Sequence, residues 1–445
     1  MKNPGFKFLR ACGVASLSCA SLAMPILASA QGQALQPPAR DFSLGLNAGL
    51  VHSDNIRLVP DNEEDGNIGR AGVELRYVEQ TRRLRADVDV DAAYEKYLDD
   101  EYDAEVIGGA NGSLAVGLLP ERFEWFFQDN LGQVRVDPLL VSTPDNRERV
   151  NLFTTGPDIR LRLGEVAFLN LTGRYTLTDY ELSDLDGERY LAGATIGRRI
   201  GPRGAISLNA TGERITLDNI LVAEDYDRRE AYLRFDLTGS RTRLAADAGY
   251  TEIEGAEQLS DGALLRLELA REVSRNSTLT FSISNAFSDS GNLLRDSQQQ
   301  GGVVLGPELV VTSGDAVESR EALLAWFSRL SRTTVGANLQ YSGLEFQRDS
   351  VLDRDLIRAG VFADRTMTPV LTLRGELGYS DEQFDNVAFD VQELLAEVQL
   401  NWDLGAKTQL GFQYNFTDRR SSSSSSEFRE NRISLLVRWF PFRRR

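Results

Sequence analysis

The sequence predicts an all-β fold: a transmembrane, antiparallel, up-and-down β-barrel of about twenty strands, within limits of roughly 18 to 22, with short periplasmic turns and long extracellular loops. Three observations predict it. Apolar and polar residues alternate with period two along most of the chain, the connections between these runs are alternately short and long, and an export-type leader opens the sequence.

In the leader, Lys2, Lys7 and Arg10 make a positive start, Ala11 to Leu27 an apolar core broken by small residues, and Ala28-Ser29-Ala30 a small-residue cleavage site. Residues 1–30 therefore read as a signal peptide cleaved after Ala30, 31–41 as a short periplasmic lead, 42–440 as the barrel and 441–445 as a basic tail. The leader core is too short for a comfortable membrane helix, and no charge-free run of about eighteen residues follows. Both cysteines, Cys12 and Cys19, fall in the leader, so the exported chain has no thiol for disulfides, thiolate metal sites or catalysis. Removing three bases takes the formal net charge from -17 to -20, which disfavours nucleic acid as a partner. Of the lysines only Lys96 and Lys407 survive cleavage. The base is therefore arginine, which stays charged in any lumen and pairs well with carboxylates or planar anions.

Period two is plain in the first strand, where Phe42, Leu44, Leu46, Ala48 and Leu50 alternate with Ser43, Gly45, Asn47 and Gly49. It recurs at Leu84, Ala86, Val88, Val90, Ala92 and Tyr94, with Arg85, Asp87, Asp89, Asp91 and Glu95 between them. Each run has one apolar and one polar face. Short turns fall near residues 81, 120, 164, 202, 240, 274, 330, 367 and 405, spaced 34 to 44 residues apart except for one gap of 56. Longer polar loops lie between them, such as Asp54 to Gly69 and Thr417 to Asn431. Soluble sandwiches have no reason to sort their loops in this way. Nine short turns, with both end strands entering from one side, give twenty strands. Aromatics gather toward strand ends and mostly on the apolar face, as interfacial girdles require. Pro157 interrupts the run from Arg149 to Leu163, so the sixth strand is expected to begin after it or to carry a bulge.

Little in the chain suits catalysis. His52 is the only histidine, and Ser53 and Asp54 beside it point to alternate faces of a strand, so adjacency builds no relay. Phosphate-loop and zinc-protease motifs are missing. The acidic groups Asp61, Glu63, Glu64 and Asp65, and Asp99, Asp100, Glu101 and Asp103, have the oxygen chemistry for a divalent cation, but solvated surface loops are the plainer reading. No metal and no cofactor are expected.

With the apolar faces toward lipid, the opposite faces line the lumen: Arg85, Asp87, Asp89, Asp91, Arg160, Arg162, Arg174, Arg234, Asp236, Arg266, Glu268, Arg374 and Glu376. Mixed signs argue against strong selection by charge. They suit either a ligand-free set of stabilising ladders or a hydrated path. A ring of this size leaks unless something narrows it. The first strand begins about a dozen residues after the cleavage site, leaving no room for a folded plug ahead of it. The 56-residue gap contains Ser288 to Arg320, whose apolar residues Val303, Leu305, Leu309 and Val311, together with Gln298, suit a constriction folded into the lumen. An ordinary long outer loop is the alternative.

The stretch His52-Ser53-Asp54-Asn55-Ile56, then Pro60-Asp61-Asn62-Glu63-Glu64-Asp65 and a second amphipathic strand, resembles the start of the outer-membrane β-barrel porins associated with exopolysaccharide operons, including those near exosortase systems. Asp145-Asn146-Arg147-Glu148-Arg149-Val150 before Gly156-Pro157 is also similar. The resemblance covers nearly the whole mature chain. It implies a role in exopolysaccharide secretion or surface assembly, with outer-membrane lipid, polysaccharide and periplasmic export components as partners, and it brings no catalytic residues. The chain departs from the usual pattern at its end, where Phe440-Pro441-Phe442 is followed by three arginines rather than closing on an aromatic. The expected function is a conduit or scaffold for polysaccharide leaving the cell. The alternatives are a general diffusion porin and, third, a barrel-embedded hydrolase. Oligomeric state is not written in the sequence.

Overall fold

The computed structural model describes residues 39–218, 224–255, 259–290, 292–293 and 313–443, so the expected leader lies outside the described residues. Twenty strands form ten hairpins, each closed by one of the long connections. The first five are β1 (Ala39–Ser53) with β2 (Gly66–Gln80), β3 (Leu84–Tyr97) with β4 (Glu105–Leu119), β5 (Phe123–Arg135) with β6 (Arg147–Leu163), β7 (Ala167–Tyr180) with β8 (Gly187–Ile200), and β9 (Gly204–Leu217) with β10 (Tyr226–Thr238). The second five are β11 (Thr242–Gly255) with β12 (Leu259–Ser274), β13 (Ser277–Asp289) with β14 (Ala316–Arg329), β15 (Thr333–Phe346) with β16 (Arg354–Thr368), β17 (Leu371–Phe384) with β18 (Asp390–Asp403), and β19 (Thr408–Ser421) with β20 (Phe428–Arg443). Each strand pairs antiparallel with its sequence neighbour, and β20 returns to β1. Closure leaves no edge strand with unpaired backbone groups, the condition for crossing hydrocarbon as a sheet.

The nine short turns fall between strands where the spacing places them, from residues 81–83 to residues 404–407. Alternation sets the two faces. Tyr190, Ile196, Leu208, Leu233 and Leu265 point outward and stay about half exposed, whereas Arg189, Ser207, Asn209, Asp247 and Glu376 on the other face are buried. An apolar outside around a charged inside is favourable only in lipid.

Three glycines on the inward face receive aromatic rings from adjoining strands. A Cβ on Gly336 would stand 2.3 Å from the ring of Phe362, on Gly197 2.3 Å from that of Phe168, and on Gly45 2.9 Å from that of Phe440. These rings lie where a side chain would otherwise be, which covers the weak backbone of the glycine and pins register. Aromatics therefore also occupy the interior, beyond the outward girdles read from the sequence.

Pro157 does not end a strand. β6 runs through it, and its ladder with β5 is unbroken, Trp125 lying opposite Pro157 and Phe126 opposite Gly156. On the β7 side pairing lapses between Thr155 and Asp158, which absorbs the missing N–H. Gly173 lies against the ring, where even an added Cβ would meet it at an ordinary 3.4 Å, and Arg174 donates to the carbonyls of Pro157 and Gly173. The expected interruption is thus a local loss of ladder bonds rather than a boundary.

The His52-Ser53-Asp54-Asn55 stretch clasps the seam between first and last strands. Ser53 donates to the Glu430 carboxylate at 2.6 Å, Asn431 donates twice to Asp54, and Asn55 donates to the Arg429 carbonyl at 3.0 Å. Ser53 and Asn55 are fully buried. His52 sits apart, its Nδ1 3.1 Å from the Asn67 side chain, so these neighbours take different partners.

Candidate functional site: the lumen wall and its outer mouth

The charged residues expected to line the lumen are on the inward-alternating face, and most are engaged with one another. Arg85 and Arg160 converge on Glu124, each at 2.8 Å, reaching it from opposite sides of β5. Arg85 passes over β4, where Ala115 and Gly117 leave space. Asp87 and Asp89 share Arg76 at 3.0 and 3.2 Å, and Asp91 is buried one step further along the same face. Arg174 grips Asp158 with two bonds of 2.9 Å while stacking on Phe126. Arg234 reaches Asp236 and Asp247, Arg374 holds Glu376 at 2.7 Å, and Arg266 meets Glu230. Glu268 shares that face with Arg266, and Arg162 pairs with Glu121 at the exposed turn. Arg266 also covers Tyr232, and Arg374 covers the glycine-seated Phe362, so both rings present a guanidinium rather than a bare π face inward. Of the acidic loop residues, Glu64 and Glu101 pair with Arg57, and Asp99 accepts the backbone N–H of Asn67.

At the outer mouth the structure brings together residues the sequence did not single out. The connection between β5 and β6, residues 136–146, crosses to the far wall. Leu139 packs against Phe384, Phe389 and Val391, and the Ser426 hydroxyl donates to the Leu139 carbonyl at 3.0 Å. At its root, Arg135 lies 3.5 Å from Glu382, which Arg354 approaches at 3.2 Å. β5 and β17 are eight strands apart by the shorter way round the ring. These contacts therefore span the lumen. Asn146 pins the other end of the connection through bonds to Asp137 and Val141.

A second connection enters beside it. Asp289, closing β13, takes two bonds of 2.6 Å from Arg189 on β8, five strands away, and Asn292 donates to the same carboxylate. Leu293 packs on the Val134, Val150, Leu152, Tyr180 and Leu185 cluster and on the Val317, Leu344 and Phe346 cluster. The space left beneath, bounded by Tyr180, Arg189, Tyr226 and Asp289, is about 20 Å³, room for one water. The expected constriction residues Gln298, Val303, Leu305, Leu309 and Val311 lie outside the described residues. A larger hollow of about 720 Å³ opens elsewhere, on the outward face below Tyr175 and Tyr190, where Pro157, Gly173, Ala192 and Gly212 align in one row.

Closed ring, apolar belt and charged interior together define an integral outer-membrane β-barrel of porin type. Within it, residues 317–439 match a family model described as "Putative beta-barrel porin 2". No curated protein matches. Among solved structures, OccK2 (OpdF) of Pseudomonas aeruginosa in complex with glucuronate is similar at 14% identity, covering 91% of this chain and 98% of that one, with a TM-score of 0.39. A BenF-like porin of Pseudomonas fluorescens Pf-5 is similar at 13%, covering 90% and 99%, with a TM-score of 0.39. The FrpB iron transporter of Neisseria meningitidis, F5-1 variant, is similar at 9%, covering 90% and 81%, with a TM-score of 0.47. At such identities and scores these likenesses say nothing of what this chain carries.

Proposed function

We propose that the chain is a non-enzymatic, passive conduit for hydrophilic solutes whose outer mouth is narrowed by its own connections. The observation that carries this reading is the seating of residues 136–146 on the opposite wall through Leu139, Ser426 and the Arg135 to Glu382 contact. A twenty-strand ring without such a crossing would admit large solutes. Charges on the wall are largely satisfied by one another, which suits a hydrated path without a strong resting site for any one ion. Liposomes carrying the purified protein test it by swelling in isosmotic sugars. Monosaccharides are expected to enter quickly and longer oligosaccharides slowly or not at all. Absence of swelling with every sugar would overturn the reading.

A second reading is favoured by the His52 to Ile56 and Asp145 to Val150 stretches, through their resemblance to porins of exopolysaccharide operons. Here the same conduit serves a polysaccharide chain leaving the cell, beside periplasmic export components. A deletion strain that loses secreted polysaccharide yet takes up small solutes normally supports it. Unchanged secretion removes it.

A further inference from the structure

Beneath the crossing connection, four arginines from three strands share one small region. Arg135 ends β5, Arg354 opens β16, Arg358 lies two inward positions deeper on β16, and Arg419 lies near the outer end of β19. Glu382 sits among them, close to Arg135 and Arg354 and within electrostatic range of Arg358 and Arg419. Glu393 meets Arg419 at 3.5 Å, and Glu321 is within range of Arg358. Four guanidiniums thus face three carboxylates, in a chain whose overall charge is strongly negative.

Arg135 and Arg354 are each 1% exposed, Glu382 3% and Arg419 6%. Within this group, the buried Nε of Arg358 and the buried second terminal nitrogen of Arg419 have no acceptor. Charged donors withdrawn from water without an acceptor are costly, and one more acidic group would remove both the excess charge and the unmet donors. Guanidiniums select for that role a planar or tetrahedral oxyanion, which accepts several N–H groups at once, over a spherical halide.

We propose that this arginine group at the outer mouth binds an oxyanion, either a free inorganic one or the carboxylate or phosphate of a solute in transit. The proposal rests on the conduit reading only for its second source. A site for free oxyanion stands even if nothing passes.

The test uses the full-length protein folded in detergent micelles. Thermal midpoints are measured with sodium sulfate, sodium phosphate or sodium glucuronate titrated against sodium chloride at matched ionic strength. Wild type should gain a saturable upward shift with an oxyanion and none with chloride. Arg358→Gln should weaken the apparent affinity roughly tenfold or more, the worth of one charge-assisted bond. Arg162→Gln, at the opposite end of the barrel, should leave it unchanged. Equal midpoints in oxyanion and chloride for wild type overturn the proposal, and that comparison stands even if Arg358→Gln fails to fold. Stabilisation by sulfate and phosphate alone assigns the site to free anion. Stabilisation by glucuronate as well assigns it to solute. Swelling is a separate readout, so failure of the conduit reading and failure of the anion site are told apart.

Discussion

Replacing Glu382 with glutamine keeps the side chain's volume and removes its charge, so the result reports electrostatics rather than a cavity. Arg354 Nε lies 3.2 Å and Arg135 3.5 Å from its oxygens, and all three side chains are at most 4% exposed. Removing one partner of so buried a pair typically costs about 3–5 kcal/mol, because the remaining cations are left uncompensated. Glu121→Gln provides the comparison. It breaks the 2.9 Å pair with Arg162, whose side chains are 64% and 62% exposed, and such pairs are worth about 0–1 kcal/mol. Denaturant unfolding of the two variants in the same detergent, read by heat-modifiable gel mobility, should separate them by about 2 kcal/mol or more. If Glu382→Gln loses no more stability than Glu121→Gln, the cross-lumen contact does not hold the connection in place and the reasoning fails.

Three further outcomes follow from local geometry. Gly336→Ala should cost about 1–3 kcal/mol, since the new Cβ meets Phe362 at 2.3 Å, while Gly212→Ala, with nothing within 4 Å, should be close to neutral; equal effects would show that the ring moves aside freely. Ser53→Ala removes the donor to buried Glu430 and should cost about 1–3 kcal/mol, seen as earlier unfolding and as faster hydrogen exchange at the ends of β1 and β20. In the outer connection before β16, burial holds the Asp353 carboxyl above its ordinary 3.8, and Asp385, Asp349 and Asp315 push it the same way. A raised carboxyl penalises the fold at pH above the raised value and ceases to do so as pH falls toward the ordinary one. Asp353→Asn, which still accepts the Phe346 N–H, should therefore be more stable than wild type at pH 7, with the difference shrinking on acidification; a difference that grows instead reverses the sign.

Strand positions and turns were legible because each side chain's face depends on its own parity. Gly201 and Gly164 in two of the short turns take positive φ, which fits the expected punctuation. The wall residues were legible for the same reason: Arg374 and Glu376, two apart on β17, must share a face. The outer mouth was not legible. Arg135 and Glu382 are 247 positions apart, and the one local signal in residues 136–146, the apolar Leu139-Leu140-Val141, names no partner on the far wall. Length drew notice to Ser288 to Arg320, whose Asp289 and Leu293 do reach other strands, but not to the eleven-residue connection 136–146, since reach depends on where a loop's apolar residue finds a pocket. Leu139 finds one between Phe384 and Phe389. The seated aromatics were missed too, because a glycine and the ring above it lie on different strands, as with Gly336 and Phe362.

In the proposed conduit, the crossing connection sets the size of the pore. Single-channel conductance in planar bilayers, compared between wild type and Leu139→Asp, tests it most directly, because a charge cannot stay in the Phe384, Phe389 and Val391 pocket. A small, steady conductance in wild type that rises several-fold in the variant, with the barrel still folded, is the predicted result. Equal conductance in the two folded proteins contradicts it.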